Sequence, residues 1–551
     1  MKKLFFIIFC ILMLQFVANG QQATNKPLYN ARPKLVIGFV IDQMRWDYLY
    51  KYYDRYSANG FKRLLNNGIS CENTFIPYTP TVTAAGHASI YTGTTPAVHG
   101  ITGNNFFDYT LNNDVYCVED NSVQTVGANN ESGKMSPKNM LVTTIGDELR
   151  LATNFKSKVI GISIKDRGAI LPAGHSANAA YWYDGKSGNF ISSTYYMNEL
   201  PKWVQAFNAS NTVNNYYKKN WNTLYPILSY TQSDGDSNAY ENLPFGKDQL
   251  GFPYTLEKYI VNKDFGKIRS TPYGNSLVFD FAKETMLNEQ LGKNTTTDFL
   301  AISLSSTDYI GHAFGPNSIE TEDTYLRLDK ELENFLLFLD KQVGVNNYTV
   351  FLSADHGAAH IPGFLAKHKL PNGGVDMGEM ENKLNEHLKQ IFGIDSLNIT
   401  IGNYQCYLNH TLIAKNNLDI EKVIFETMGF LQKQTGIDRV VEYAELPETV
   451  LPTSIKEQYT NGYYPTRCGD IFFILKPGYI EDYYKGKGTT HGVWNPYDAH
   501  IPLLFYGFGI NKGRIYNKVN MTDIAPTITA LLHIQMPSGC IGTTINGVIK
   551  Q

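Results

Sequence analysis

Residues 34–42 read Lys-Leu-Val-Ile-Gly-Phe-Val-Ile-Asp. An apolar run closed by a charge at each end leaves no polar face for water. That is the pattern of a strand buried on both sides, as in a parallel sheet covered by helices. Similar runs occur at Lys158–Ile164, Asp298–Leu304, Tyr348–Ala354 and Ile501–Tyr506. Helical patterns alternate with them at Pro137–Leu151, Gly274–Gln290, Glu320–Asp340 and Ile524–Leu532. Ser136 before Pro137 offers a cap and a proline at the first helical position. Tyr325, Leu328, Leu332, Phe335 and Leu339 recur every three or four residues and make one apolar stripe. Strands alternating with helices predict an α/β fold with a large, mainly parallel β-sheet flanked by helices.

Two stretches break the rhythm. Residues of about 178–270 are rich in Tyr, Asn, Ser, Trp and Pro, and residues of about 362–470 give weak signals of either period. Both read as insertions that roof one catalytic domain spanning 24–551. The first twenty residues read as a secretory signal peptide: Lys2 and Lys3, an apolar run from Phe5 to Ala18, then Asn19, Gly20 and Gln21. The expected location is the periplasm or the exterior. That run is short for a membrane span, and nothing downstream reaches the roughly 18–20 apolar residues a span needs, so no stable membrane insertion is expected. Removing the segment deletes two lysines and no acid, which takes the formal charge from −3 to −5. This balance argues against nucleic acid as a partner through a general basic surface. A monomer is expected. Cys71, Cys117, Cys406, Cys468 and Cys540 are widely spaced and odd in number, so they form neither a disulfide scaffold nor a cysteine metal site.

The acids mark the chemistry. Asp42, Asp308 and Asp355 each stand at or just beyond the carboxyl end of an expected strand. Ligands of open α/β sheets bind at that edge, and parallel strands deliver distant residues to it together. One such aspartate alone would more often cap a turn; three, two of them with histidines, point to a metal site. Asp308-x-x-x-His312 puts a carboxylate and an imidazole one helical turn apart. Asp355-His356 is a strand-end pair, and His491 lies in Gly-Thr-Thr-His-Gly. Oxygen and nitrogen ligands without cysteine suit catalytic zinc. There are too many for one tetrahedral ion, and two Zn2+ about 4 Å apart would use them. Thr79-Pro-Thr-Val-Thr83 supplies a hydroxyl that a metal can activate, and reads equally well as a Thr-rich turn before a helix. Most other histidines have no acid partner in a motif; His87 and His99 read as supports of the loop or helix.

Asp42, Pro-Thr-Val-Thr83, Asn104 in His-Gly-Ile-Thr-Gly-Asn-Asn, Asp-Tyr-Ile-Gly-His312, Ala-Asp-His-Gly and Gly-Thr-Thr-His-Gly resemble the alkaline phosphatase superfamily. They look most like its phosphate-irrepressible periplasmic enzymes, neighbours of the nucleotide pyrophosphatase/phosphodiesterases. The resemblance runs from about residue 31 to 549. It implies an alkaline phosphatase-like core with cap insertions. Asp308, His312 and His491 would hold one zinc, and Asp42, Asp355, His356 and the Thr83 oxygen the other. Thr83 would form a covalent phosphothreonine. Lys165 and Arg167 resemble the phosphate-binding pair of the monoesterases, with Asn104 beside them. Two cations suit the dianionic group of a monoester, so small-molecule phosphate monoesters of broad range are the expected substrates. A phosphodiesterase or phosphonate hydrolase on the same core is the alternative. A sulfatase is disfavoured because no Cys/Ser-x-Pro-x-Arg segment is present. A zinc- or phosphate-binding protein without turnover would need no nucleophile among its ligands.

Overall fold

The first quoted run forms β1 (Leu35–Ile41), with every residue buried, as the centre of a ten-stranded sheet. The computed structural model describes residues 31–482 and 485–550, and from Pro33 onward the chain is one compact unit. The expected signal peptide lies outside the described residues. The other sheet strands are β2 (Ile69–Cys71), β3 (Thr125–Val126), β4 (Val159–Ser163), β5 (Ala179–Asp184), β6 (Asn189–Ser193), β7 (Asp298–Leu304), β8 (Tyr348–Ser353), β9 (Leu503–Gly507) and β10 (Gly513–Ile515). Their order is β10–β2–β9–β8–β1–β7–β4–β5–β6–β3. The five central strands β8, β1, β7, β4 and β5 are parallel. In register, Ile41 sits beside Leu304, Val40 beside Ser353 and Ser303 beside Ser163. The carboxyl ends therefore finish level with one another, and the residues that follow them share one edge.

The sheet is mixed at its margins. The run at Ile501–Tyr506 was expected to join as another parallel strand. It divides after Ile501: His500–Ile501 pairs with Phe75, and β9 runs antiparallel to β8. Pro502 separates the two pieces and has no N–H to continue a ladder. The expected helix at Pro137–Leu151 is also shorter, beginning as Ile145–Ala152. Thr144 and Asp147 form a reciprocal capping box there, whereas the Ser136 hydroxyl donates to Asp120. Two strands of the stretch from about 178, β5 and β6, belong to the sheet itself; the covering part begins near Lys202. The stretch from about 362 carries a separate four-stranded sheet, made from Asn398–Gly402, Gln405–Leu408, Ile437–Glu442 and Ile471–Leu475, over its own apolar core.

Four helices matter for the site: α1 (Thr83–Thr92), α2 (Asp166–Ala173), α3 (Ser306–Phe314) and α4 (Ile319–Gln342). The last shows the anticipated stripe, with Leu328, Leu332, Phe335 and Leu339 all buried. Cys71, Cys117, Cys406, Cys468 and Cys540 are unpaired thiols, the first four buried. Among the described residues no helix is long and apolar enough to cross a membrane.

Helix α1 approaches the sheet edge closely because of Gly86. A β-carbon there would lie 2.4 Å from the Asp355 carbonyl oxygen and 2.6 Å from the Asp355 β-carbon. Gly86→Ala should therefore destabilise the protein by about 1–3 kcal/mol through overpacking, read as a lower midpoint in denaturant unfolding. Gly429, in the helix Ile420–Leu431, has open space at its β-carbon position. Gly429→Ala should be neutral or stabilising by up to about 1 kcal/mol.

Candidate active site

Thr83 opens α1, after Val82 in extended conformation. The first turn of a helix leaves N–H groups without partners, and Asn104 uses one of them: its Oδ1 accepts from the Ala84 N–H at 3.0 Å. The hydroxyl of Thr83 lies 3.4 Å from both His356 Nε2 and Lys165 Nζ. Its own residue is 1% exposed.

Around it the strand ends deliver three carboxylates, all buried: Asp42 after β1, Asp308 in the first turn of α3, and Asp355 just beyond β8. Lys165, at the end of β4, is ion-paired with Asp42 at 2.7 Å and with Asp308 at 2.6 Å. Asp308 also lies 3.2 Å from His312 Nε2 and 3.7 Å from His491 Nε2. His356 Nε2 is 3.5 Å from an oxygen of Asp42 and from one of Asp355. His356 and His491 stack with ring centres 3.4 Å apart.

Each of these three imidazoles is fixed in one tautomer. His312 Nδ1 meets the Thr489 carbonyl at 2.8 Å, His356 Nδ1 the Gly357 carbonyl at 2.9 Å, and His491 Nδ1 the Thr81 carbonyl at 2.7 Å. A carbonyl only accepts, so Nδ1 carries the proton and Nε2 presents its lone pair inward. Burial holds the His356 and His491 imidazoles below the usual histidine range, and for His491 the two neighbouring rings add to it. For His312 the Asp308 carboxylate outweighs burial and raises it.

The carboxylates show what this cavity lacks in positive charge. Burial, then the neighbouring Asp355, pushes the Asp42 carboxyl well above the carboxylate range. Burial is outweighed at Asp308 by His312 and Lys165, and at Asp355 by His356 and His87, so both stay below it. Asp42 Oδ1 and Asp355 Oδ2 are buried without a hydrogen-bond donor. Three carboxylates face one ammonium, and inward-facing imidazole lone pairs accompany orphaned oxygens. Divalent cation binding fits this donor set.

The ligand atoms group in two triads that share a member: Asp308, His312 and His491, and Asp42, Asp308 and His356. The first is the expected set. In the second, Asp308 stands where Asp355 was expected, although an Asp355 oxygen also lies 3.5 Å from His356 Nε2. Asp355 is meanwhile held by the Gln43 N–H at 3.1 Å and lies 3.4 Å from His87. Arg167, the first-turn neighbour of Lys165 in α2, donates to the Tyr116 hydroxyl at 3.1 Å. Arg167 and Lys165 line a cavity of about 290 Å3 together with Tyr116 and Tyr309.

Some positioning residues carry no sequence signal. Gln43, in left-handed conformation (φ 64°), donates its side-chain amide to Asp308 at 2.8 Å. His87 is a support, as expected: it donates to the Thr83 carbonyl at 2.9 Å and bonds Ser303 at 2.8 Å. Asp498 accepts from the Gly492 and Val493 N–H groups at 2.9 and 3.0 Å, fixing the loop that carries His491, and burial pushes its carboxyl up to about 8. An acid following Asn-Pro-Tyr was its only trace in the sequence.

Residues 36–498 match the family described as type I phosphodiesterase / nucleotide pyrophosphatase. Over 522 residues the chain is 53% identical to a Myroides odoratus protein named calcium-transporting ATPase, covering 94% of this chain and 95% of that protein. It is 52% identical over 539 residues to alkaline phosphatase PhoV of Synechococcus elongatus, covering 97% of each. The crystal structure of wild-type alkaline phosphatase PafA superposes with a TM-score of 0.92 at 50% identity, covering 94% of this chain and 99% of that one. The chain belongs to the type I phosphodiesterase / nucleotide pyrophosphatase family of the alkaline phosphatase superfamily.

Proposed function

We propose that this protein is an exported, zinc-dependent alkaline phosphatase that hydrolyses small-molecule phosphate monoesters through a phosphothreonine at Thr83. The observation that carries the reading is the setting of the Thr83 hydroxyl. It stands at a helix N-terminus, 3.4 Å from His356 Nε2 and from Lys165 Nζ, beside three buried carboxylates. A hydroxyl needed only for structure would not require such surroundings. The names of PhoV and PafA support the same activity.

Asp308, His312 and His491 would hold one zinc, and Asp42, Asp355 and His356 the other. When bound, two zinc ions supply Lewis-acid charge that favours the ionised threonine and offsets charge developing on the leaving oxygen. The protein's own groups do the rest. Thr83 Oγ1 attacks phosphorus as the bond from phosphorus to the alcohol oxygen breaks; the threonine proton passes to solvent, the leaving alkoxide takes one from it, and phosphothreonine and the free alcohol result. Water then attacks phosphorus as the bond to Oγ1 breaks, so that inorganic phosphate leaves and a proton returns to the Thr83 oxygen. The helix N-terminus, the Asn104 amide, Lys165 and Arg167 stabilise the non-bridging oxygens. Asn104, anchored at Ala84, has its Nδ2 left over for that purpose.

The cation pair favours a monoester over the alternative diester, because a monoester brings one more negative charge to the same position. The expected periplasmic or secreted location and a monomeric state complete the reading.

Three measurements test it. Thr83→Ala should lower kcat for an aryl phosphate by about a thousandfold or more, and near-full activity would sink the mechanism. Replacing Lys165 and Arg167 by alanine should cost about 10²–10³ in kcat/KM for an aryl monophosphate and much less for its methyl diester. Equal losses would contradict their role. Chelation should abolish turnover and lower the melting temperature, and re-added zinc should restore both, since a ligand bound only by the folded state stabilises it.

A further inference from the structure

The covering stretch that begins near Lys202 carries a second group of acids. Residues 234–241 read Asp-Gly-Asp-Ser-Asn-Ala-Tyr-Glu. This loop lies against the junction of α3 and α4. Asp234 donates its N–H to the Asn317 carbonyl at 2.7 Å, and Asn242 donates to the Ala313 carbonyl at 2.8 Å. Glu320, in the first turn of α4, is 1% exposed. One of its oxygens accepts from the Tyr254 hydroxyl at 2.5 Å, and the other is buried without a donor. Among the described residues, the other carboxylate oxygens in that condition belong to Asp42, Asp355 and Asp498, in or beside the cluster around Thr83.

The neighbouring acids are satisfied. Glu322 pairs with Arg55, Asp323 with Arg327, and Asp234 with Lys367. Among the described residues, Asp236, Glu241 and Glu320 form no ion pair. Glu241 is 3% exposed and accepts from the Asn238 N–H and side-chain amide, both at 3.0 Å. Asp236 accepts from the Phe252 N–H at 3.1 Å, two residues before Tyr254. Burial, then the Glu241 charge, drives the Glu320 carboxyl well above the carboxylate range. Burial, with Asp236 and Asp234 adding to it, pushes Glu241 up to about 7 against the Asn238 hydrogen bonds. Buried charges of one sign need a counter-charge or must give up ionisation.

We propose that Glu320, Glu241 and Asp236 hold a calcium ion, at a site separate from the strand-end cluster, and that the ion fastens the 234–242 loop to α4. The donors decide the cation. All three are carboxylates, and no histidine or cysteine accompanies them, which suits a hard cation and not zinc. Calcium takes about six to eight oxygens at about 2.3–2.6 Å in a flexible geometry, so donors on opposite sides of it stand about 5 Å apart. Asn238 and carbonyls of the loop supply further oxygens. Magnesium demands a near-ideal octahedron and keeps several waters, which a buried acid group accommodates poorly. The ion has a structural consequence. The Tyr240 carbonyl accepts from the Gly488 N–H at 2.9 Å, and the next residue, Thr489, donates to the His312 carbonyl at 2.9 Å. Calcium thus steadies the loop that braces His312 without touching substrate.

The test uses full-length protein freed of metals and reloaded with zinc alone, so that the strand-end acids are occupied. Terbium(III) replaces calcium on oxygen ligands and emits when a nearby aromatic ring absorbs. Tyr254 touches Glu320, and Trp221 lies 5.3 Å from the Tyr254 ring, so both rings should sensitise it. One terbium ion should bind per chain and be displaced by calcium. Calcium should also raise the melting temperature of the zinc-loaded protein. Glu320→Gln and Glu241→Gln keep the side-chain shape and remove a charge; each should weaken calcium binding by about tenfold or more and erase the thermal response. Wild-type protein that gives no sensitised emission, or whose melting temperature ignores calcium, would overturn the site whatever the variants do. Emission that survives both substitutions would place terbium elsewhere and overturn it too. A Glu320→Gln protein more stable than a calcium-indifferent wild type would show instead that the acids share protons.

Discussion

Three buried carboxylates held at one sheet edge repel one another, and the rest of the site is arranged around that repulsion. Two unit charges 4 Å apart interact by about 4 kcal/mol at an effective dielectric of 20, so Asp42, Asp308 and Asp355 cannot all ionise without compensation. Lys165 compensates one charge, at 2.6 and 2.7 Å from two of them. The remainder shows as an Asp42 carboxyl driven toward its protonated form. The parallel strands impose this crowding: their register brings Ile41, Leu304 and Ser353 level, and the acids follow within a few residues. A fold indifferent to cations would have little reason to tolerate it.

The supports around the acids each remove a freedom. Backbone carbonyls fix three imidazole tautomers. Gln43 ties Asp308 and Asp355 to the turn after β1. Gly86 lets helix α1 lie on the Asp355 backbone, and His87 ties that helix to Ser303 of β7. Catalytic groups held by packed neighbours keep their geometry without help from the substrate. The restraint comes largely from regular elements, while the cavity beside His312 and His491 is walled by Asn403 and Tyr404 of the smaller sheet's hairpin. The site thus takes one wall from parallel strand ends and another from the smaller sheet.

What the sequence made legible follows the same division. Buried parallel strands announce themselves by continuous apolar runs, so β1, β4, β7 and β8 could be placed within about a residue, and with them the acids at their ends. The Asp308 and His312 pair was legible because one helical turn is a fixed spacing. Gln43 and Asp498 were not: Gln43 meets acids 312 and 265 residues away, Asp498 holds N–H groups of an irregular loop, and no periodicity encodes either. Pro502 was visible, yet its effect depends on Phe75 being at hand to pair with His500 and on β8 being at hand to pair with β9. The short helix at Ile145 was misplaced for a similar reason: Ser136 looks like a cap until Asp120 is seen to occupy its hydroxyl.

Lys165 links charge balance to substrate choice. An ammonium at 2.6–2.7 Å from Asp308 and Asp42 is engaged with both, and those same oxygens belong to the cation-binding set. Carboxylates that give their lone pairs to divalent cations no longer attract the ammonium as strongly. Lys165 lies 3.4 Å from the Thr83 hydroxyl, where its charge would then be available to an incoming phosphoryl group. If Lys165 binds the phosphoryl group as proposed, the acids hold it back while they lack cations, and a monoester would be bound strongly only once the acid cluster is neutralised. Arg167 differs: its partner at 3.1 Å is the Tyr116 hydroxyl, outside the acid cluster. Its charge therefore does not depend on the cations. Metal loading and the proposed selection for monoesters would in this way both follow from one buried charge imbalance.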